Sequence, residues 1–276
     1  MAGHFNIIII ELKRFTQIIL YTLLAIFSIG ISAQDHDVYL LANLCDVNDT
    51  RLIQKRLKSE IESRNTSSSI VLNGDLTSSP VWTAKGKQQL DELSEFLTSL
   101  DDLVEHIFIL TGDRDWNDSQ PQGYKAFKAL NLELNIRIEE NGLLHTTLLD
   151  KEGCPGPFDI YINNYIQLIA FQSQWWNHAY NKPVASDAIC KYITDTDIAE
   201  EFNAIIADHD NKNILVVGHH PIRSLGNYGG RYSLAQNLKP FPIVGSFINA
   251  YKANIGNRYS IKNRRLKKYT YLLYIF

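Results

Sequence analysis

Methionine is almost missing from this 276-residue chain, which holds one; cysteine is scarce at three and proline at eight. Three cysteines cannot staple a small disulfide scaffold, and their spacing fits no zinc finger. Neither charge is in excess: 27 basic and 30 acidic side chains leave a net charge of −3. A general nucleic-acid binder would normally be basic, so no nucleic-acid partner is expected. Low-complexity linkers and internal repeats are lacking as well. What is present, 45% hydrophobic and 21% charged residues, is the balance of one globular domain, or one domain with a small appendage.

Residues 1–33 read as an export signal. Lys13 and Arg14 form a basic region, 18–31 is almost wholly apolar, and Ser32-Ala33-Gln34 offers a small-residue cleavage site. An apolar run of roughly 14 residues suits a signal core better than a spanning helix of about 20. An uncleaved anchor is the other reading, and Ile7-Ile8-Ile9-Ile10 ahead of the basic pair favours it slightly. No cysteine stands at the cleavage point, so a lipid anchor is not supported. The expected mature domain is 34–276. Export implies an oxidising compartment. One bridge and one free thiol is then the simplest use of Cys45, Cys154 and Cys190. A loop-to-loop pair between Cys154, in the turn-like Gly153-Cys154-Pro155-Gly156-Pro157, and Cys190, in a polar stretch, fits that use; three buried free thiols is the alternative.

The body alternates short apolar runs with amphipathic stretches. Residues 38–41, 69–72 and 106–110 read as buried strands, and 50–64 and 85–100 as helices with one apolar face. This βαβαβ order predicts an α/β fold with largely parallel strands. Residues 159–162 and 167–171 around Asn163-Asn164 predict a hairpin. A helix over 195–208 and a strand over 213–217 follow. In the tail, 242–255 looks helical, and Lys262-Asn263-Arg264-Arg265-Leu266-Lys267-Lys268 reads as a solvated helix face, with a lipid-phosphate contact as the other reading. Beyond it, 269–276 reads as an apolar strand or helix end.

Chemistry concentrates in the loops after the strands. Three of them close in Asn73-Gly74-Asp75, Thr111-Gly112-Asp113-Arg114-Asp115-Trp116 and Val217-Gly218-His219-His220-Pro221. Ligands of α/β sheets sit at the carboxyl ends of strands. Glycine there lets the backbone turn sharply and aims the next side chain into the crevice. Carboxylates and imidazoles gathered in this way can hold a divalent metal.

In these motifs the chain resembles the calcineurin-like metallophosphoesterases, especially exported bacterial members of the purple-acid-phosphatase-like branch, over about residues 37–260. Ser173-Gln174-Trp175-Trp176 and Cys154-Pro155-Gly156-Pro157 add to the likeness, as does Gly229-Gly230 after His219-His220-Pro221. The resemblance implies an αββα sandwich and a phosphoric ester hydrolase using divalent Zn, Mn or Fe. Asp75 would bridge metals, with Asp113 and His219 as further ligands and Asn43 in the slot of a metal-binding aspartate. Arg114 and His220 would act on the phosphoryl group. It implies a phosphorylated small molecule or phosphoprotein as substrate. It also implies a periplasmic or outer-membrane-associated location with an outer-membrane partner, since some members carry a β-barrel after this domain.

The departures from the family pattern are specific. Asn43 lacks the charge of aspartate, and Cys45 stands where many members have a ligand histidine. As a thiolate, Cys45 could ligate zinc; as a thiol it is a small packed residue. Arg114 replaces a leaving-group histidine and cannot donate a proton near neutral pH, though it can hold a phosphate firmly. The final Gly-His-x-His motif is absent, so the domain is expected to lack its C-terminal strands and to bind one metal or none. Asp115 reads as a structural carboxylate. Gly226-Asn227-Tyr228-Gly229-Gly230 reads as a cleft border, where Arg223 could help to bind an anion. The alternative function is a catalytically inactive member serving as an envelope binding or assembly module.

Overall fold

The computed structural model describes residues 35–46, 50–184, 187, 189–208, 212–224, 231–239, 241–256, 260 and 262–274. The expected export signal and the 226–230 loop lie outside them. The chain divides into Met1–His36 and Asp37–Phe276, and the fold described is that of the second.

Strands β1 (His36–Leu41), β2 (Ser67–Asn73), β3 (His106–Leu110) and β4 (Thr146–Leu148) form one sheet in that order. The β2–β3 and β3–β4 pairs are parallel. Strands β5 (Phe158–Tyr161), β6 (Ile166–Phe171) and β7 (Asn213–Gly218) form a second sheet, in which β5 and β6 are the expected antiparallel hairpin and β7 runs parallel to β6. The helices are α1 (Thr50–Arg64), α2 (Ala84–Leu100), α3 (Gly123–Glu140), α4 (Ser173–Asn177), α5 (Asp195–Ala207), α6 (Leu234–Asn237), α7 (Pro242–Tyr251) and α8 (Arg264–Tyr274).

The alternation of side chains along the strands sorts the core into three clusters. Ile70 and Leu72 of β2, with Ile107 and Ile109 of β3, pack with Leu57 and Ile61 of α1, the stripe Leu90, Leu93, Phe96, Leu97 and Leu100 of α2, and Leu130 and Leu134 of α3. The intervening Val71 and Phe108 point the other way and join Leu168 of β6, Ile160, Leu215 and Val217. The two sheets therefore meet face to face. On the far face of the second sheet, Ile169 and Phe171 pack with Ile198, Phe202 and Ile205 of α5 and Tyr269, Leu272 and Leu273 of α8. The fold is mixed α/β, as expected.

Two elements in 117–157 have no counterpart in the sequence reading: helix α3 and the short strand β4. The tail resolves as a helix: α8 buries Leu266, Tyr269, Leu272 and Leu273 and exposes Arg265, Lys267 and Lys268. The predicted solvated basic face is one side of this amphipathic helix. Cys154 and Cys190 are disulfide-bonded and Cys45 is free. Among the described residues no helix is long and apolar enough to cross a membrane.

Candidate metal centre

Parallel strands bring their carboxyl ends to one edge, and the three chemistry-bearing loops meet there. Asp75 Oδ, Asp113 Oδ and a His219 ring nitrogen all lie within 4.8 Å of one another. Two glycines permit this approach. A Cβ on Gly74, where φ is +83°, would fall 2.3 Å from His219 Nδ1. A Cβ on Gly112 would fall 2.5 Å from the Asp75 nitrogen and 2.6 Å from Asp75 Oδ1. Asp75 itself has φ 55°, a left-handed conformation that aspartate tolerates better than most residues.

His219 is oriented by Asn73. Its Nδ1–H donates to the Asn73 carbonyl at 2.9 Å, while the Asn73 side-chain amide donates to the Gly218 carbonyl at 3.2 Å. Nε2 then faces Asp113 Oδ1 at 2.9 Å and Asp75 Oδ1 at 3.4 Å. Burial alone would lower the His219 pKa, but the bond to Asp113 and the charges of both carboxylates outweigh it and raise it to about 9. For Asp113, burial acts upward and is outweighed by His219, which holds the carboxyl well below its usual range. Burial first, then the repulsion of Asp113, lifts Asp75 to about 7 against the opposing pull of His219. Near neutral pH His219 is therefore protonated, Asp113 ionised and Asp75 divided between its two forms.

Arg114 closes the other side of Asp75. Its backbone N–H donates to Asp75 Oδ1 at 3.1 Å, its Nε lies 3.5 Å from Asp75 Oδ2, and its Nη1 donates to Cys45 Sγ at 3.2 Å. Burial pushes the Cys45 thiol up to about 11 despite the Arg114 hydrogen bond, which favours the thiol over a zinc-binding thiolate. Asp115 takes the structural role expected of it. Buried, it accepts from the N–H groups of Leu76, Thr77 and Gly112 and so ties the β2 and β3 loops together.

The remaining expected site residues, Asn43 and His220, border this cluster without belonging to its three donors. The Asn43 backbone N–H donates to the Gly74 carbonyl, but its side chain is exposed, and no hydrogen bond joins it to the three donors. His220 is buried, with Nδ1 at 2.9 Å from Ser173 Oγ and Nε2 at 3.5 Å from Asn177 Nδ2. Burial and the His219 charge push it down to about 3, and its ring stands edge-on to His219 at 5.2 Å between centroids.

A second buried carboxylate had no place in the sequence reading. Asp150, just past β4, accepts from Thr111 Oγ1 at 2.6 Å and from Gln172 Nε2, and burial raises it to about 6. It joins the ends of β3, β4 and β6 behind the site. Its signal was a strand end followed by an acid, Leu148-Leu149-Asp150, without the glycine that marks the other loops.

The donor set fits one divalent cation. Two carboxylates and an imidazole suit Zn, Mn or Fe, and a ring N–H donated to a carbonyl is the usual way a ligand histidine is held in its tautomer. Set beside known proteins, the sequence matches no family model and no curated relative.

Proposed function

We propose that the chain is a metallophosphoesterase-like hydrolase of the calcineurin-like αββα class, built around one divalent cation rather than two. The observation that carries this reading is the division of Asp75: Oδ1 faces His219 and Oδ2 faces Arg114. Asp75, Asp113 and His219 would hold the cation, which supplies Lewis acidity toward a phosphoryl oxygen when bound. Arg114 stands where a second positive charge would be needed. Its guanidinium, part-exposed and anchored by Asp75 and Cys45, can pair with two oxygens of a phosphoric ester and offset charge that builds up on them. The substrate class is then a phosphorylated small molecule or phosphoprotein. The face-to-face sheets with helices outside support the fold assignment. The Cys154–Cys190 bond supports export to the periplasm or outer membrane.

One observation favours a second reading. None of Asp113, Arg114 or His220 is placed to protonate a leaving group: Asp113 is held ionised, His220 is buried and neutral, and Arg114 keeps its proton. A chain that binds a phosphoric ester without turning it over, as an envelope binding module, would have this arrangement. Hydrolysis of 4-nitrophenyl phosphate by purified protein with added Zn, Mn or Fe separates the two. Metal-dependent turnover lost in Asp75→Ala supports the hydrolase. No turnover, with vanadate or phosphate still bound in an Arg114-dependent way, supports the binding module.

A further inference from the structure

A second cavity lies away from the metal cluster, on the α8 side of the second sheet. Its volume is about 880 Å³, and none of the three metal donors lines it. Three cations do: Lys182, Arg265 and Lys268, against the single carboxylate Asp195. Asp195 is engaged, pairing with Lys268 at 3.0 Å and accepting from the Trp176 indole N–H at 3.0 Å.

The other two cations have no acidic partner among the described residues. Lys182 Nζ donates to the carbonyls of Trp175 and His178 and sits 4.1 Å over the Trp175 ring. These contacts fix the ammonium without neutralising it. Arg265 is exposed, one turn before Lys268 on the same side of α8. His178, buried in the wall beside them, is pushed down to about 4 by burial and the Lys182 charge, against a backbone hydrogen bond with Asn181. Lys182 itself is pushed down to about 8, by burial first and then by the charges of Arg265 and Lys268, against the pull of Asp195.

We propose that this cavity is a second binding site, for an organic phosphate: the oxyanion held by Lys182, Arg265 and Lys268, and a flat apolar body lying along Trp175 and Trp176. Apolar walls with a few convergent polar groups are the usual make-up of a small-molecule site, and arginine is suited to a phosphate. The proposal does not depend on the metal cluster or on turnover.

The test is tryptophan fluorescence of the metal-free protein, in chelator, titrated with phenylphosphonate, which is not hydrolysed, and with inorganic phosphate. Trp175 and Trp176 report directly. Saturable quenching is expected, unchanged in Asp75→Asn, and weakened about tenfold or more in Arg265→Gln with Lys268→Gln. Both substituted side chains are exposed, so folding is spared. Vesicles containing phosphatidic acid, compared with phosphatidylcholine alone, tell a lipid headgroup from a soluble phosphate; Arg265-dependent binding of either supports the site. The proposal is overturned by no saturable quenching with any probe, by quenching that chloride reproduces at equal ionic strength, by quenching indifferent to the double substitution, or by its loss in Asp75→Asn.

Discussion

The Nδ1–H of His219 donates to the Asn73 carbonyl at 2.9 Å, which fixes the ring so that Nε2 points between Asp113 and Asp75. The consequence is a competition at Nε2 between a proton and a cation. His219 is raised from 6.5 to about 9 and Asp75 from 3.8 to about 7. Both folded values lie above the unfolded ones, so in metal-free protein these groups stabilise the fold below their unfolded pKa values. That contribution is lost as pH rises through about 7 and about 9. Cation binding near pH 7 must then expel a proton. Between one and two protons should be released per cation near pH 7, from His219 and in part from Asp75, and above pH 7 affinity should rise about tenfold per pH unit toward the His219 pKa. Calorimetry in buffers of different ionisation enthalpy measures this release. An affinity indifferent to pH from 6 to 9 would show that Nε2 is not the ligand atom.

Gly112 is a separate test of the geometry. An added methyl would press on the Asp75 backbone and carboxylate and come within 2.8 Å of His219 Cε1, and the neighbouring backbone cannot give way cheaply. Gly112→Ala should cost about 1–3 kcal/mol of stability and weaken metal binding further than stability alone explains. Thermal melting with and without zinc checks both. An unchanged zinc-induced shift in melting temperature would contradict the close packing of the two loops.

Asp115 should matter for stability rather than for chemistry. Its two oxygens accept three backbone N–H groups from the β2 and β3 loops. Asp115→Asn replaces one acceptor with a donor facing N–H groups, a loss of about 2–3 kcal/mol. Urea denaturation measures it. If metal affinity falls sharply with no change in stability, Asp115 is a ligand and the structural assignment is wrong.

Much of this site could be read from residue order. Strand, glycine, then acid or histidine is a local grammar, and it marks Asp75, Asp113 and His219. The partners that tune these groups were not legible. Asn73 was visible only as part of a turn, because its carbonyl meets His219 across 146 positions of sequence. His220 sits in the same motif as His219, yet the backbone aims the next side chain toward Ser173 and Asn177, where it is buried. Helix α3 escaped because Asn131 interrupts its buried stripe and the alternation of Leu132, Leu134, Ile136 and Ile138 with polar residues has the period of a strand, and β4 because three residues carry too little periodicity. The face-to-face meeting of the sheets depends on Val71 and Phe108 finding Leu168, about 60–100 residues away, and no local pattern encodes that.

The measurement that bears most directly on the metal centre is metal content by mass spectrometry, after purified protein is incubated with zinc, manganese and iron and freed of excess. Wild-type protein should retain about one cation per chain, as three protein donors with open positions would hold, and Asp75→Ala should retain none. Well-folded wild-type protein without bound metal, or a mutant that holds as much as the wild type, would contradict the assignment of Asp75, Asp113 and His219 as a cation site.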